Sequence, residues 1–446
     1  MKKQITSFIM SIFCVLSCFS LAGCGEKNTT QVYFLNFKPE SAAVYEEIAK
    51  EYEKETGVKV KVVTAAANTY EQTLKSEIAK TSAPTIFQVN GPIGYNSWSD
   101  YCLNIKDSKL YSYLADESLA IKDKDGVYAI PYVVEGYGII YNNAIMDRYF
   151  ALPNKKTDIK SMEEINSFDT LKKVVEDMTA HKKELDIEGV FASTSLSSGE
   201  DWRWQTHLLN IPLYYEYRDN KDNLNPTLAL LESKEILFKY SKNFKNIFDL
   251  YIENSITSKN LLGSKSVADS MAEFALGKVV MVQNGNWGWS QISGVEGNTV
   301  KARDIKMMPI YTGIDGEKGQ GICIGTENYL AINKNATEEQ QKASLAFLEW
   351  LFSSEKGKKY VTEKLGFITP FNTFSQDQIP NDPLAKEITR YMNDDSTTTI
   401  PWIFTAFPSD QFKKEVGSGL LDYVQGTKKW DEIEKSITEK WKSERK

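Results

Sequence analysis

Between residues 32 and 89 the sequence alternates short apolar strand patterns with amphipathic helices, and this rhythm limits the fold more than any other feature. Val32 to Leu35 is a compact apolar run of β type. Ser41 to Thr56 places Val44, Ile48 and Tyr52 at i, i+4 and i+8, and Gly57 stops that helix. Val58, Val60 and Val62 then alternate with lysines, Tyr70, Leu74 and Ile78 mark a second helix, and Pro84 leads into the apolar run Thr85 to Val89. Repeated βαβ units of this kind predict an α/β fold with mostly parallel sheets flanked by helices. Ligands of such sheets are met at the carboxyl ends of strands. Two of those ends read Asn36-Phe37-Lys38 and Gln88-Val89-Asn90-Gly91, which makes Asn36, Lys38, Gln88 and Asn90 candidate ligand contacts. Such residues are equally ordinary in loops.

The later chain repeats the pattern with longer helices. Thr337-x-x-Gln340 is a capping box, and Ala343, Ala346, Phe347, Trp350 and Leu351 form an apolar stripe behind it, so Trp350 is expected in the core. Trp430 and Trp441 sit among charged residues in helix-like segments and are expected to pack rather than to bind.

The first residues bear on destination. Lys2 and Lys3 precede an apolar stretch, Phe8 to Phe19, which is short for the ~20 residues of a membrane span, and small residues follow it. The closing Leu21-Ala22-Gly23-Cys24 resembles the lipobox of bacterial lipoproteins, which implies removal of residues 1–23 and acylation of Cys24. Polar residues 25–30 then serve as a tether. Of the 53 basic side chains two leave with the signal, so 423 residues would remain with 51 basic against 60 acidic groups. That length suits two lobes at ~100 to 200 residues per domain. The acidic balance argues against nucleic acid as a partner and leaves membrane attachment to the acyl group.

Cys14 and Cys18 belong to the signal, and Cys102 and Cys323 are expected to be buried thiols. His181 and His207 are the only histidines and have no cysteine spaced nearby, so no metal site is expected. No Gly-x-Ser-x-Gly elbow appears, and no cofactor is implied.

Aromatic residues carry the functional signal. Met281 to Trp289 opens as a strand and ends in an Asn/Gly loop with two tryptophans; Asn286 and Trp287 are candidate ligand contacts and Trp289 is expected in the core. An indole face suits the apolar face of a pyranose, and amides suit its hydroxyls. In Gly199-Glu200-Asp201-Trp202-Arg203-Trp204, a helix starting near Asp201 would put Trp204, Leu208 and Ile211 on one face, leaving Trp202 for a ligand. Asp201 is either a ligand contact or an N-cap. Trp402, behind Pro401, is a third candidate.

The longest distinctive string runs from Asp125-Gly126 through Pro131-Tyr132 and Glu135-Gly136 to Tyr141-Asn142. It resembles the corresponding segment of family 1 extracellular solute-binding proteins, the group that includes maltodextrin-binding proteins of ABC importers. Asn284 to Trp289, Asp304 to Pro309, Thr326 to Asn333 and the Trp350 helix resemble later segments of that family in the same order. The resemblance implies a two-lobed Venus-flytrap fold, each lobe a mostly parallel sheet flanked by helices, with the chain crossing near Glu135, Ile324 and Phe371. Lobe 1 would be residues 31–135 and 325–370, and lobe 2 residues 136–324 and 371–446. Carried over, Glu135 is the inter-lobe acid for sugar hydroxyls, Trp287 and Trp402 are stacking platforms, and Asp201 with Trp202 forms part of the lobe 2 wall. Tyr95 and Glu327 complete the candidate set. The chain departs from the maltodextrin type at Asp201-Trp202-Arg203-Trp204 and in the loops around Asn36 and Tyr95, which leaves the particular sugar open.

The expected function is therefore that of a monomeric, lipid-anchored, non-enzymatic binding protein on the outer face of the cytoplasmic membrane, or on the periplasmic side in a two-membrane cell. It would deliver an oligosaccharide to the permease and ATPase of an ABC importer. Two alternatives are the same fold with a peptide or polyamine as cargo, and an anchored glycoside hydrolase, which would need two carboxylates ~5 to 9 Å apart.

Overall fold

The computed structural model describes residues 31–66, 69–220, 225–375 and 377–445. Cys24 and the tether lie outside the described residues. Twelve strands among them form two six-stranded sheets. They are β1 (Gln31–Asn36), β2 (Lys59–Thr64), β3 (Ile86–Asn90), β4 (Ile121–Asp123), β5 (Gly126–Pro131), β6 (Glu135–Asn142), β7 (Gly189–Phe191), β8 (Val279–Gly285), β9 (Ile305–Met308), β10 (Gln320–Gly325), β11 (Asn328–Ile332) and β12 (Thr398–Pro401). The first sheet has the order β2-β1-β3-β11-β5-β4, the second β12-β10-β6-β8-β7 with β9 also on β6.

The local predictions rest on sound periodicity. The helix Ala42–Thr56 buries Tyr45, Ile48, Ala49 and Tyr52 and stops at Gly57, whose φ of 74° lets it close the last turn onto Glu53. The helix Tyr70–Ile78 buries Tyr70, Leu74 and Ile78, and Thr337 with Gln340 makes the reciprocal capping box of the helix Glu338–Ser353. Phe347 and Leu351 of that helix close the first sheet's core against Phe34, Ile86 and Leu330. Trp350 is only half-buried, because its indole N–H reaches out to Glu55 while its ring packs edge-on against Tyr52. Trp441 is fully buried against Phe407 and Phe412, and Trp430 stacks on Phe244. Cys102 and Cys323 are buried free thiols.

One expectation is corrected: the sheets are mixed. β1 pairs in parallel with β2 and β3, and β10 with β12 and β7 with β8 do likewise, but the other six pairings are antiparallel. The cause is connectivity. β11 enters the first sheet from the second and runs against β3 and β5, while β6 brings the chain into the second sheet and β10 takes it out, side by side in opposite directions.

The chain passes from the first sheet to the second between Pro131 and Glu135, and returns between Gly325 and Asn328. Beside the first passage, Val134 donates its N–H to the Ile368 carbonyl at 2.6 Å. The two halves are in contact across the hinge. Gly91, at the start of the helix Gly91–Trp98, has φ 61°, and a Cβ there would stand 2.7 Å from Thr405 Cβ of the short helix Ile403–Ala406. Among the described residues no helix is long and apolar enough to cross a membrane.

Candidate functional site

At the hinge the backbone places one cation among three acids. Lys38 follows β1 and Glu135 opens β6; the Lys38 ammonium donates to both Glu135 oxygens, at 2.8 and 2.9 Å, with Glu40 at 3.8 Å. Both Lys38 and Glu135 are buried. Burial works against the Lys38 charge, yet Glu135, Glu40 and Glu327 together hold its pKa above the ordinary lysine range. For Glu135 and Glu327 burial dominates and raises the carboxyl pKa, with Lys38 pulling the other way.

Next to this pair stands an aromatic wall. β8 ends at Gly285 and turns through Asn286 and Trp287; the Asn286 side-chain oxygen accepts from the Gly136 N–H at 2.9 Å, tying that turn to β6. The Trp287 six-membered ring packs against Gly285, and Trp402, just after β12 and buried, packs against Gly325 at the end of β10. Trp202 comes from a third element. Residues Arg203–Leu208 wind as a π-helix, followed by a helix that contains Pro212. The Leu209 N–H reaches back five residues to the Trp204 carbonyl and is shared with the Thr206 carbonyl. Five-residue winding brings His207 against Trp202 in a T-shaped contact, with ring centroids 4.9 Å apart. His207 is the centre of the cluster: it stacks on Tyr137 at 4.1 Å and an interplanar angle of 6°, and meets Phe404, Trp287 and Trp402 at 5.3, 5.5 and 6.0 Å. It is buried, and burial followed by the nearby Arg203 charge holds its pKa well below the usual histidine value, so the ring is neutral.

The candidate residues separate into groups. Lys38, Glu135 and Glu327 share the hinge cluster, and Asn286, Trp287, Trp402 and Trp202 share the wall. Asn36 and Gln88 turn inward: Asn36 holds the Lys38 carbonyl and Thr64, and Gln88 ties the Phe37 N–H to the Tyr132 hydroxyl. They shape the loop that carries Lys38. Asn90 pairs with Asn328 at the strand end. Tyr95 is directed to the far side of its helix, bonded to Asp123 and beside Tyr128, apart from the wall. Trp204, Leu208 and Ile211 are core, whereas Trp289 is half-buried, because it begins the short helix Trp289–Ser293 at the edge of the sheet.

Asp201 is buried against Gly417 of the helix Asp410–Val424, accepts from the Gln205 side chain at 2.9 Å, and offers its carbonyl to Trp204 and Gln205. Burial raises its carboxyl pKa from 3.8 to about 6. The folded form thus holds the proton more tightly than the unfolded chain, so stability falls as pH rises from about 4, where the unfolded carboxyl ionises, to about 6, and the penalty is full above that. Asp201→Asn is expected to stabilise the protein by about 2 kcal/mol at pH 8, with the gain fading through pH 6 and gone below about pH 4. Thermal melts at pH 8 and pH 4 that show the same difference would contradict this.

His207, Tyr137, Phe404 and Arg203 were absent from the sequence-derived set. The signal was the Trp202/His207 spacing of five, which reads as one face only in a π-helix.

A family model for a bacterial extracellular solute-binding protein matches residues 47–387. The chain belongs to that family. Its place is therefore outside the cytoplasm, and its relatives are binding proteins rather than enzymes. The binding protein shares its two-lobed fold with solved structures at low identity. The protein RafE in complex with raffinose is 18% identical with a TM-score of 0.70, covering 94% of this chain and 100% of that one. A chitin oligosaccharide binding protein is 17% identical, with a TM-score of 0.69 over 94% and 99% of the two chains. A sugar transporter from Bacillus licheniformis in complex with stachyose is 17% identical, with a TM-score of 0.66 over 93% and 100%. No curated protein matches the chain in sequence.

Proposed function

We propose that the protein captures an oligosaccharide between its two lobes and hands it to the permease of an ABC importer. The observation that carries this reading is the wall of Trp202, Trp287 and Trp402 around His207, set beside Asn286 and the Lys38–Glu135 pair. Indole faces supply stacking worth about 1 kcal/mol each beyond buried area, and the pair offers a hydroxyl both a donor and an acceptor. The sugar ligands of the structural neighbours, raffinose, a chitin oligosaccharide and stachyose, support the same class.

The lobes, residues 31–135 with 325–370 and residues 136–324 with 371–446, would close about the crossings near Glu135, Ile324 and Phe371. A ligand that touches both lobes favours the closed form by its differential affinity, and the permease reads that form. The monomer would be held at the outer face of the cytoplasmic membrane through an acylated Cys24. Calorimetric titration against neutral and acidic oligosaccharides, peptides and polyamines tests the reading. Binding of a sugar with micromolar or better affinity is expected; binding of a peptide or polyamine and of no sugar would sink it. Growth on the bound sugar should drop in a Cys24→Ala strain, and unimpaired growth would remove the anchor from the account.

A further inference from the structure

Arg203 is the one charged residue of the wall that the fold does not complete. Its side chain is 2% exposed, and all three guanidinium nitrogens are shielded from water without a hydrogen-bond partner. No carboxylate among the described residues forms an ion pair with it; Glu200 influences it only at longer range, its own Oε2 accepting from the Val267 N–H. Lys38, by contrast, has both oxygens of Glu135. The Arg203 guanidinium lies 4.0 Å from the centre of the Trp202 ring, and that ring abuts both His207 and Trp287. Its charge therefore lies directly against a ring of that wall, enclosed in the structure as it stands. Burial lowers the Arg203 pKa to about 9, which still leaves it charged at neutral pH. Two acceptors, Gln205 Oε1 and Gln283 Oε1, are also buried without a donor, and the Gln283 amide nitrogen donates to the Arg203 carbonyl at 2.9 Å.

A guanidinium out of water is costly unless acceptors meet it, and structural arginines normally satisfy their five N–H donors. Its planar fork matches a carboxylate in two parallel bonds, and stacking on an indole orients that fork. A single guanidinium balances a single negative charge, which suits a carboxylate better than a phosphate dianion. The unpaired amide oxygens of Gln205 and Gln283 would accept from sugar hydroxyls. Resting on the oligosaccharide reading above, we infer that the captured glycan is acidic, carrying a uronic or sialic acid whose carboxylate is bound by Arg203 while its ring lies against the Trp202 and Trp287 wall.

The decisive comparison keeps the sugar and removes the charge. The full-length chain in mild detergent is titrated calorimetrically with trigalacturonate, a glucuronic-acid-substituted xylo-oligosaccharide and 3′-sialyllactose, each beside its methyl ester, and with raffinose, xylotetraose and maltotetraose. At least one acid should bind 100-fold or more tightly than its ester and than any neutral sugar. Arg203→Gln should bring acid and ester within threefold, and Arg203→Lys should restore part of the difference. The ester comparison on the unaltered protein decides the matter even if a variant fails to fold. A neutral sugar bound as tightly as every acid, or an Arg203→Gln protein that still separates acid from ester, would overturn the inference and leave the oligosaccharide reading standing. If no sugar of either class binds, both fall.

Discussion

Replacing Lys38 by methionine is expected to cost about 3 to 5 kcal/mol of folding stability at pH 8, the range seen when one member of a buried ion pair is removed. Methionine keeps the length of the stem, so the loss is electrostatic. Glu135 would lose its two contacts of 2.8 and 2.9 Å, and with Glu40 and Glu327 nearby three carboxylates would be left without the cation that now lies among them. Lower pH should relieve the defect. Burial already raises the Glu135 and Glu327 carboxyls, and loss of the ammonium raises them further. A carboxyl raised in the fold penalises it fully above its folded pKa, and the penalty fades as pH falls from that value towards the ordinary carboxyl pKa of the unfolded chain. The double variant Lys38→Met/Glu135→Gln should recover most of the stability at pH 8. Urea denaturation at pH 8 and pH 5 gives the answer: a loss below 1 kcal/mol at pH 8, or equal losses at both, would show that the pair does not hold the hinge.

The second large effect concerns the wall. Trp287→Ala should weaken oligosaccharide binding at least tenfold with little change in melting temperature, since Trp287 is half-buried and packs at the margin of the core. Gly285→Ala should do nearly the same without touching the indole itself. A Cβ at 285 would overlap the Trp287 six-membered ring. β8 cannot yield, because Gly285 is paired with Tyr137 in the sheet, so the ring must leave its place. Calorimetry on both variants, with circular dichroism as a check on folding, tests this. Unchanged affinity in Gly285→Ala together with loss in Trp287→Ala would mean that the ring tolerates displacement; unchanged affinity in both would remove Trp287 from the site.

Legibility followed the range of the interactions involved. The helix stripes at Tyr70, Leu74 and Ile78 and at Phe347 and Leu351, the Gly57 stop and the Thr337 capping box depend on neighbours within four residues, and they appear as read. Trp202 apart from Trp204 was legible for the same reason. Trp350 and Trp289 were not, because burial of an indole depends on what lies across from it and on where its N–H finds an acceptor. Asn36 and Gln88 show the same limit: an amide at a strand end reads alike whether it faces a ligand or braces a loop.

By itself the sequence determined an α/β chain of two-lobe size and a set of candidate tryptophans, amides and an acid whose chemistry suits a sugar. These follow from local periodicity and from side-chain chemistry. Tertiary structure alone decided that Lys38 neutralises Glu135, that His207 gathers Tyr137 and three tryptophans, and that Arg203 is buried without an acceptor. Apart from Trp202, which meets His207 through a π-helical turn, those facts arise from residues about 70 to 195 positions apart meeting at the ends of two sheets. Electrostatics and ring stacking act over a few ångströms of space, and only the fold brings such distant residues within that reach.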